Sequence, residues 1–233
     1  MCYTFIMETR PDTAGPPLSP SATGYTRAEK LSDATIHVIG VTSALVAVGA
    51  LVTLVAAWRA ETSVLVGTVV YSVCLLLMLA CSAAYHMTPW EEWKDILRRL
   101  DQSAIYVKIA GTYTPFAVLA GSGAGFLAGI WSAALAGLAL KLLAPGRFIS
   151  LGLALYLGMG WCGVVLGGDM ISGLSSTGFA LMLAGGVIYT FGVIFFLWER
   201  LPFHNTIWHA HVLIATGVFY AAVVVEVAGS TLA

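Results

Sequence analysis

After residue 33 almost the whole chain is apolar, in seven segments near the length of about 20 residues that crosses the hydrocarbon core of a bilayer. They cover 35–57, 63–85, 102–120, 124–141, 148–167, 178–198 and 206–228. In lipid no water satisfies a bare peptide group, so such segments fold as helices that satisfy their own backbones. Only 10% of the residues are charged and mean hydropathy is +0.88, whereas soluble domains carry roughly 25% charged residues. The expected fold is therefore all-α: a polytopic membrane protein, a bundle of seven transmembrane helices over 34–233. Linkers are too short for a second domain. The third to fifth segments are rich in Gly and Ala, which lets helices approach closely. Residues 1–33 read as a tail on the cytoplasmic side. Its run Pro11–Pro20 favours disorder, and Cys2–Met7 is too short for the apolar part of a cleavable signal peptide. Cys2, Cys74, Cys81 and Cys162 have no metal-ligand spacing and read as reduced thiols.

Basic residues set the expected orientation. With the N-terminus on one side, that side receives Arg10, Arg27, Lys30, Lys94, Arg98, Arg99, Lys141, Arg147 and Arg200, and the other side receives Arg59 alone. The expectation is a multi-pass protein of the plasma membrane, N-terminus cytoplasmic and C-terminus outside. No basic patch could track a phosphate backbone, which argues against nucleic acid and leaves membrane lipid as the expected partner. One linker has structure of its own. In Thr88–Leu100, Thr88, Pro89 and Glu91 suggest a capped helix start. Trp90, Trp93, Leu97 and Leu100 share one face, as in an amphipathic helix lying in the interface near 88–100.

All five histidines fall at the same end of these segments. His37 opens the first, His86 closes the second, and His204, His209 and His211 open the last. Ionisable groups at membrane depth are costly and mark sites. Ser82 and His86 are one helical turn apart, about 6 Å along the axis. Asn205 and His209 have the same spacing, whereas His204 and His211 are about 10 Å apart and poorly placed to share an ion. Catalytic zinc takes three protein ligands and a water. His86 and His209 are natural imidazole ligands from two helices. Asp101, at the start of the third segment, could hold the water as general base, with Ser82 orienting a ligand or a substrate carbonyl. His37 and His211 read as ordinary interfacial histidines. Lys108, two turns into the third segment, is expected to snorkel to the interface; the competing reading is a contact to an anion or carbonyl. Glu226 and Asp169 read as interfacial, and Pro115 should kink its helix.

Four strings carry a resemblance: Ser82-Ala-Ala-Tyr-His86, Asp101-Gln-Ser-Ala-Ile-Tyr106, Ile109-Ala-Gly-Thr-Tyr-Thr-Pro115 and Ile207-Trp-His209. The stretch Ala28–Gly40 adds to them. Together they resemble the hemolysin III family, the bacterial branch of the progestin and adipoQ receptor (PAQR) proteins, over roughly residues 28–228. The resemblance implies a seven-helix bundle with zinc near the cytoplasmic face. It implies ligation by a histidine of an S-x3-H motif, matching His86, and by two of an H-x3-H motif, the second matching His209. Ser82 matches the family's serine, and Asp101 the aspartate that holds the zinc-bound water. The pattern breaks at the first histidine of H-x3-H, where this chain has Asn205, with His204 one residue earlier and about 140° from His209 around an ideal helix. The third ligand is therefore His204 or Asn205. Gln102 replaces a further family histidine, and an apolar or aromatic residue near Phe219 another. Three functions follow as expectations: zinc-dependent hydrolysis of a lipid amide or ester, a lipid sensor or receptor with structural or absent zinc, or a pore-forming cytolysin.

Overall fold

The computed structural model describes residues 24–58, 61–121, 123–144 and 149–232. The expected disordered run, Cys2, Arg59 and Arg147 lie outside them. Among the described residues there are eight helices: α1 (Arg27–Ala57), α2 (Thr62–Met87), α3 (Glu91–Leu119), α4 (Ala124–Leu143), α5 (Ile149–Leu166), the single-turn α6 (Gly168–Ser172), α7 (Ser176–Leu197) and α8 (His204–Leu232). Five of them, α1, α2, α4, α7 and α8, are long and apolar enough to cross a membrane. The two other segments expected to span fall on α3 and α5.

The centre of the bundle is α3, which packs on α2, α4, α5 and α8, while α7 rests on α8 and α8 closes against α1. Large apolar side chains such as Val46, Val73, Val187 and Leu197 are turned outward, as the low-polarity surroundings of a membrane protein allow. Small residues let the helices meet. A Cβ on Gly111 would lie 2.6 Å from the Cβ of Cys74, and one on Gly137 2.5 Å from the Tyr106 ring. Interior hydroxyls bond back to their own helices: Thr68 Oγ1 donates to the Val64 carbonyl (2.8 Å) and Ser72 Oγ to that of Thr68 (2.7 Å). Pro115 sits inside α3, where Thr112 and Thr114 donate to the carbonyls of Lys108 and Ala110.

Local chemistry departs from the sequence reading in four places. First, α1 begins at Arg27, inside the expected tail. Thr26 caps it, with Glu29 completing a capping box, so two otherwise orphaned backbone donors are satisfied. Second, Thr88 starts no helix. It ends α2, and α3 is capped by Trp90 without a side-chain bond. Third, the amphipathic stretch is not a separate helix. It runs unbroken into the third apolar segment as α3, and Trp90, Trp93, Ile96 and Leu100 remain exposed along it. Fourth, Glu226 is buried rather than interfacial. It accepts from the Ser175 backbone N–H (3.1 Å) and hydroxyl (2.6 Å), tying α8 to the N-cap of α7.

Candidate metal centre

The α1 N-terminus, the α2 C-terminus and the α8 N-terminus meet at one end of the bundle. There α1 presents Asp33 and His37, one turn apart and so on one face; α2 presents His86 and α8 presents His209. One donor atom from each of these four side chains lies within 4.8 Å of the others. His209 Nδ1 is 2.6 Å from Asp33 Oδ1, His86 Nδ1 is 3.0 Å from Asp33 Oδ2, and His37 Nε2 is 3.6 Å from the same oxygen. The imidazole centroids are 4.4–5.0 Å apart. Asp33, His37 and His209 are buried.

This donor set fits a divalent transition metal. Four ligands at about 2.0 Å around a tetrahedral ion stand about 3.3 Å from one another, close to the spread seen here. His37 Nε2 is buried with no hydrogen-bond partner, a costly state for a ring nitrogen unless something else takes it. Imidazole and carboxylate are the ligands zinc accepts alongside thiolate, and no cysteine joins the group.

Asp101 faces Ser82 and His86, so the serine, aspartate and histidine singled out in the sequence are brought to one place. The candidate third ligands are not. His204, the first residue of α8, directs Nε2 to the Tyr25 hydroxyl at 2.9 Å. Asn205 also bonds to Tyr25, whose phenol pKa is raised by burial against that hydrogen bond. Neither belongs to the four-residue group. His211 is held by the Ile207 carbonyl (2.8 Å) and stacks on Phe195. The members of the cluster missed in the sequence are Asp33 and His37. Their signal was an Asp-x3-His pair opening the first span at the histidine end.

A strap between α1 and the start of α8 holds the centre together. Glu29 Oε1 accepts from the Phe203 backbone N–H (3.0 Å), Ser32 Oγ meets Thr206 Oγ1 (2.8 Å), and Tyr25 meets His204. Phe203 has φ 59°, a strained setting for a bulky residue that the surrounding bonds must hold.

The family model described as haemolysin-III related matches residues 25–220. The chain belongs to that family. Hemolysin-3 homolog of Bacillus subtilis (strain 168) is 40% identical over 194 residues, 81% of this chain and 90% of the relative. Hemolysin-3 of Bacillus cereus is 38% identical over 79% of this chain and 85% of its own length. The human Monocyte to macrophage differentiation factor is 29% identical over 66% of this chain and 67% of its length, which fits the wider PAQR superfamily.

Proposed function

We propose that this haemolysin-III family member is a zinc-dependent hydrolase of a lipid amide or ester in the plasma membrane. It crosses the bilayer seven times, with α3 and α5 as the remaining spans, N-terminus inside, and the histidine end at the cytoplasmic face. The observation that carries the reading is the convergence of three imidazoles and Asp33 next to Asp101. His37, His86 and His209 would hold the metal. Bound zinc supplies Lewis acidity and brings water ionisation towards neutral pH. Asp33 accepts from imidazole N–H groups, which fixes the rings and raises their basicity as ligands. The Asp101 carboxylate takes up the proton released as water attacks the lipid carbonyl and delivers it to the leaving group; Ser82 holds Asp101 in place. The exposed Trp90 and Trp93 seat this end of α3 in the interface, where a lipid headgroup linkage lies.

A second reading rests on the same geometry. If Asp33 is itself a ligand, the site has four protein donors, which is the closed arrangement of structural zinc, and the protein is a lipid sensor. Metal content and hydrolysis measured together separate the two. Asp101→Asn should keep about one zinc per chain and lose hydrolysis of a panel of lipid amides and esters. A wild-type protein that holds zinc yet cleaves nothing on that panel would favour the sensor; one without zinc would remove both readings.

A further inference from the structure

Two lysines are buried in the bundle. Lys108 does not snorkel: its Nζ donates to the Tyr189 hydroxyl at 2.7 Å and lies over the Tyr189 and Phe219 rings. Lys141, in the last turn of α4, is only 7% exposed and makes no such bond. Its Nζ stands 5.9 Å from the Tyr156 ring centroid, at the outer limit of a cation–π contact. No carboxylate among the described residues pairs with it. Glycine makes room for this ammonium against α5, since a Cβ on Gly152 would lie 2.8 Å from Nζ.

Helix α3 brings a second cation to the same end. Arg99, Ser103 and Tyr106 are spaced four and three residues apart and share one face. Tyr106 fixes where that face points: its ring lies against Gly137 of α4, and its hydroxyl donates to the Gly152 carbonyl of α5 at 3.3 Å. Lys141 is one turn beyond Gly137, about 6 Å along α4, towards the end where α3 begins and where Ser103 and Arg99 stand. Arg99 Nε and Ser103 Oγ are both buried without a hydrogen-bond partner. Asp101 faces Ser82 and His86 instead. Two cations and a hydroxyl thus share one end of the α3–α4–α5 contact with donors to spare. Charges held at membrane depth are found paired, and the missing partner is an anion from outside the chain.

The surroundings select that anion. Trp90, Trp93 and Leu100 are exposed on the same stretch of α3, which sets this level at the interface. A phosphate has oxygens enough for a guanidinium, an ammonium and a hydroxyl together, and basic pockets between helices at this depth suit lipid head groups. Next to Gly152 begins an apolar cleft of about 730 Å³ between α4 and α5, running from Leu151 to Leu166 past Gly129, Ala133, Ala154 and Gly158. It is about 22 Å long along α5, and Leu151 and Leu166 are exposed at its two ends. We propose that Arg99, Ser103 and Lys141 bind the phosphate of an anionic phospholipid whose acyl chain lies in the α4–α5 cleft. The site faces away from the metal centre and holds whether or not that centre is catalytic.

Native mass spectrometry of the full-length protein in detergent, titrated with phosphatidylglycerol, tests it. One saturable lipid adduct is expected. Lys141→Gln and Arg99→Gln should each weaken it about tenfold or more, as loss of a charge-assisted bond does. Arg98→Gln, which removes an exposed cation of the same helix, should leave it unchanged. Phosphatidylcholine, whose own cation would meet Lys141 and Arg99, should bind more weakly. Millimolar inorganic phosphate should not displace the lipid, because it cannot use the cleft. Protein stripped of metal by a chelator should bind as before, so failure of the hydrolase reading leaves this result intact. No saturable adduct, unchanged affinity in Lys141→Gln and Arg99→Gln, or an equal loss in Arg98→Gln overturns the site. Equal affinity for phosphatidylcholine or displacement by inorganic phosphate overturns its assignment to an anionic phospholipid. If Lys141→Gln yields no folded protein, Arg99→Gln decides alone.

Discussion

Asp33 is the residue on which the centre turns, because both of its oxygens face imidazole nitrogens. Its two possible roles leave different traces. As an acceptor from the rings, its change to Asn should weaken zinc binding by roughly 10–100-fold, the usual cost of losing such a partner, with hydrolysis surviving at saturating zinc. As a ligand, its loss should release the metal altogether. Zinc titrations of Asp33→Asn read out which. His37→Ala should lose zinc as fully as His86→Ala or His209→Ala, while His204→Ala and Asn205→Ala should keep it. Zinc lost from His204→Ala alone would put that residue back among the ligands. The sequence was legible for His86 and His209, because each has a polar neighbour at helical spacing. It was not legible for His37, since a single histidine at a helix entry is usually interfacial. Asp33 was hidden for another reason: it was counted with a Pro-rich tail, although helix α1 had already begun at Arg27.

At the level of elements, the strap between α1 and α8 fixes how His209 meets Asp33. Glu29 serves both helices, capping α1 through Thr26 and accepting from Phe203. Glu29→Ala removes the carboxylate half of the capping box and leaves the Phe203 N–H without its acceptor. The expected result is a lower melting temperature together with faster loss of zinc to a chelator, and Glu29→Gln should recover part of both. A melting temperature that falls while zinc retention stays at the wild-type level would confine Glu29 to holding the helix. Helix type was readable throughout from apolar length. Helix junctions were not. Nothing between Glu91 and Thr114 breaks a helix, so the amphipathic stretch and the third span share one axis instead of meeting at an angle near Asp101. The buried position of Glu226 was also unreadable, since its partner Ser175 lies 51 residues away.

For the whole molecule, orientation and permeability are the properties that labelling and conductance read directly. Single cysteines in place of Glu91, in the first turn of α3, and Ser172, at the end of α6, should label from opposite sides of intact cells: the first only after the membrane is permeabilised, the second without it. The reverse pattern would invert the proposed topology. One similar protein is named Hemolysin-3 and another Hemolysin-3 homolog, yet among the described residues several interior hydroxyls are already taken up. Those of Thr68, Ser72, Thr112 and Thr114 bond to carbonyls of their own helices. Planar bilayers containing the purified protein should stay electrically silent, and reproducible unitary steps would make the lytic reading the leading one.

Asp33 and His209 are 176 residues apart in the chain, and that separation is also an interval of time. At about 5–20 residues per second of synthesis, a ribosome needs roughly 10–35 s between making one and making the other. Throughout that interval the first helix exists with its carboxylate but without the last helix that completes its surroundings. The nascent chain must therefore keep the entry of α1 hydrated at the membrane surface until α8 arrives. On the proposed reading metal loading is the closing act of biogenesis, and a chain cut short before its final helix lacks His209 and so holds an incomplete centre.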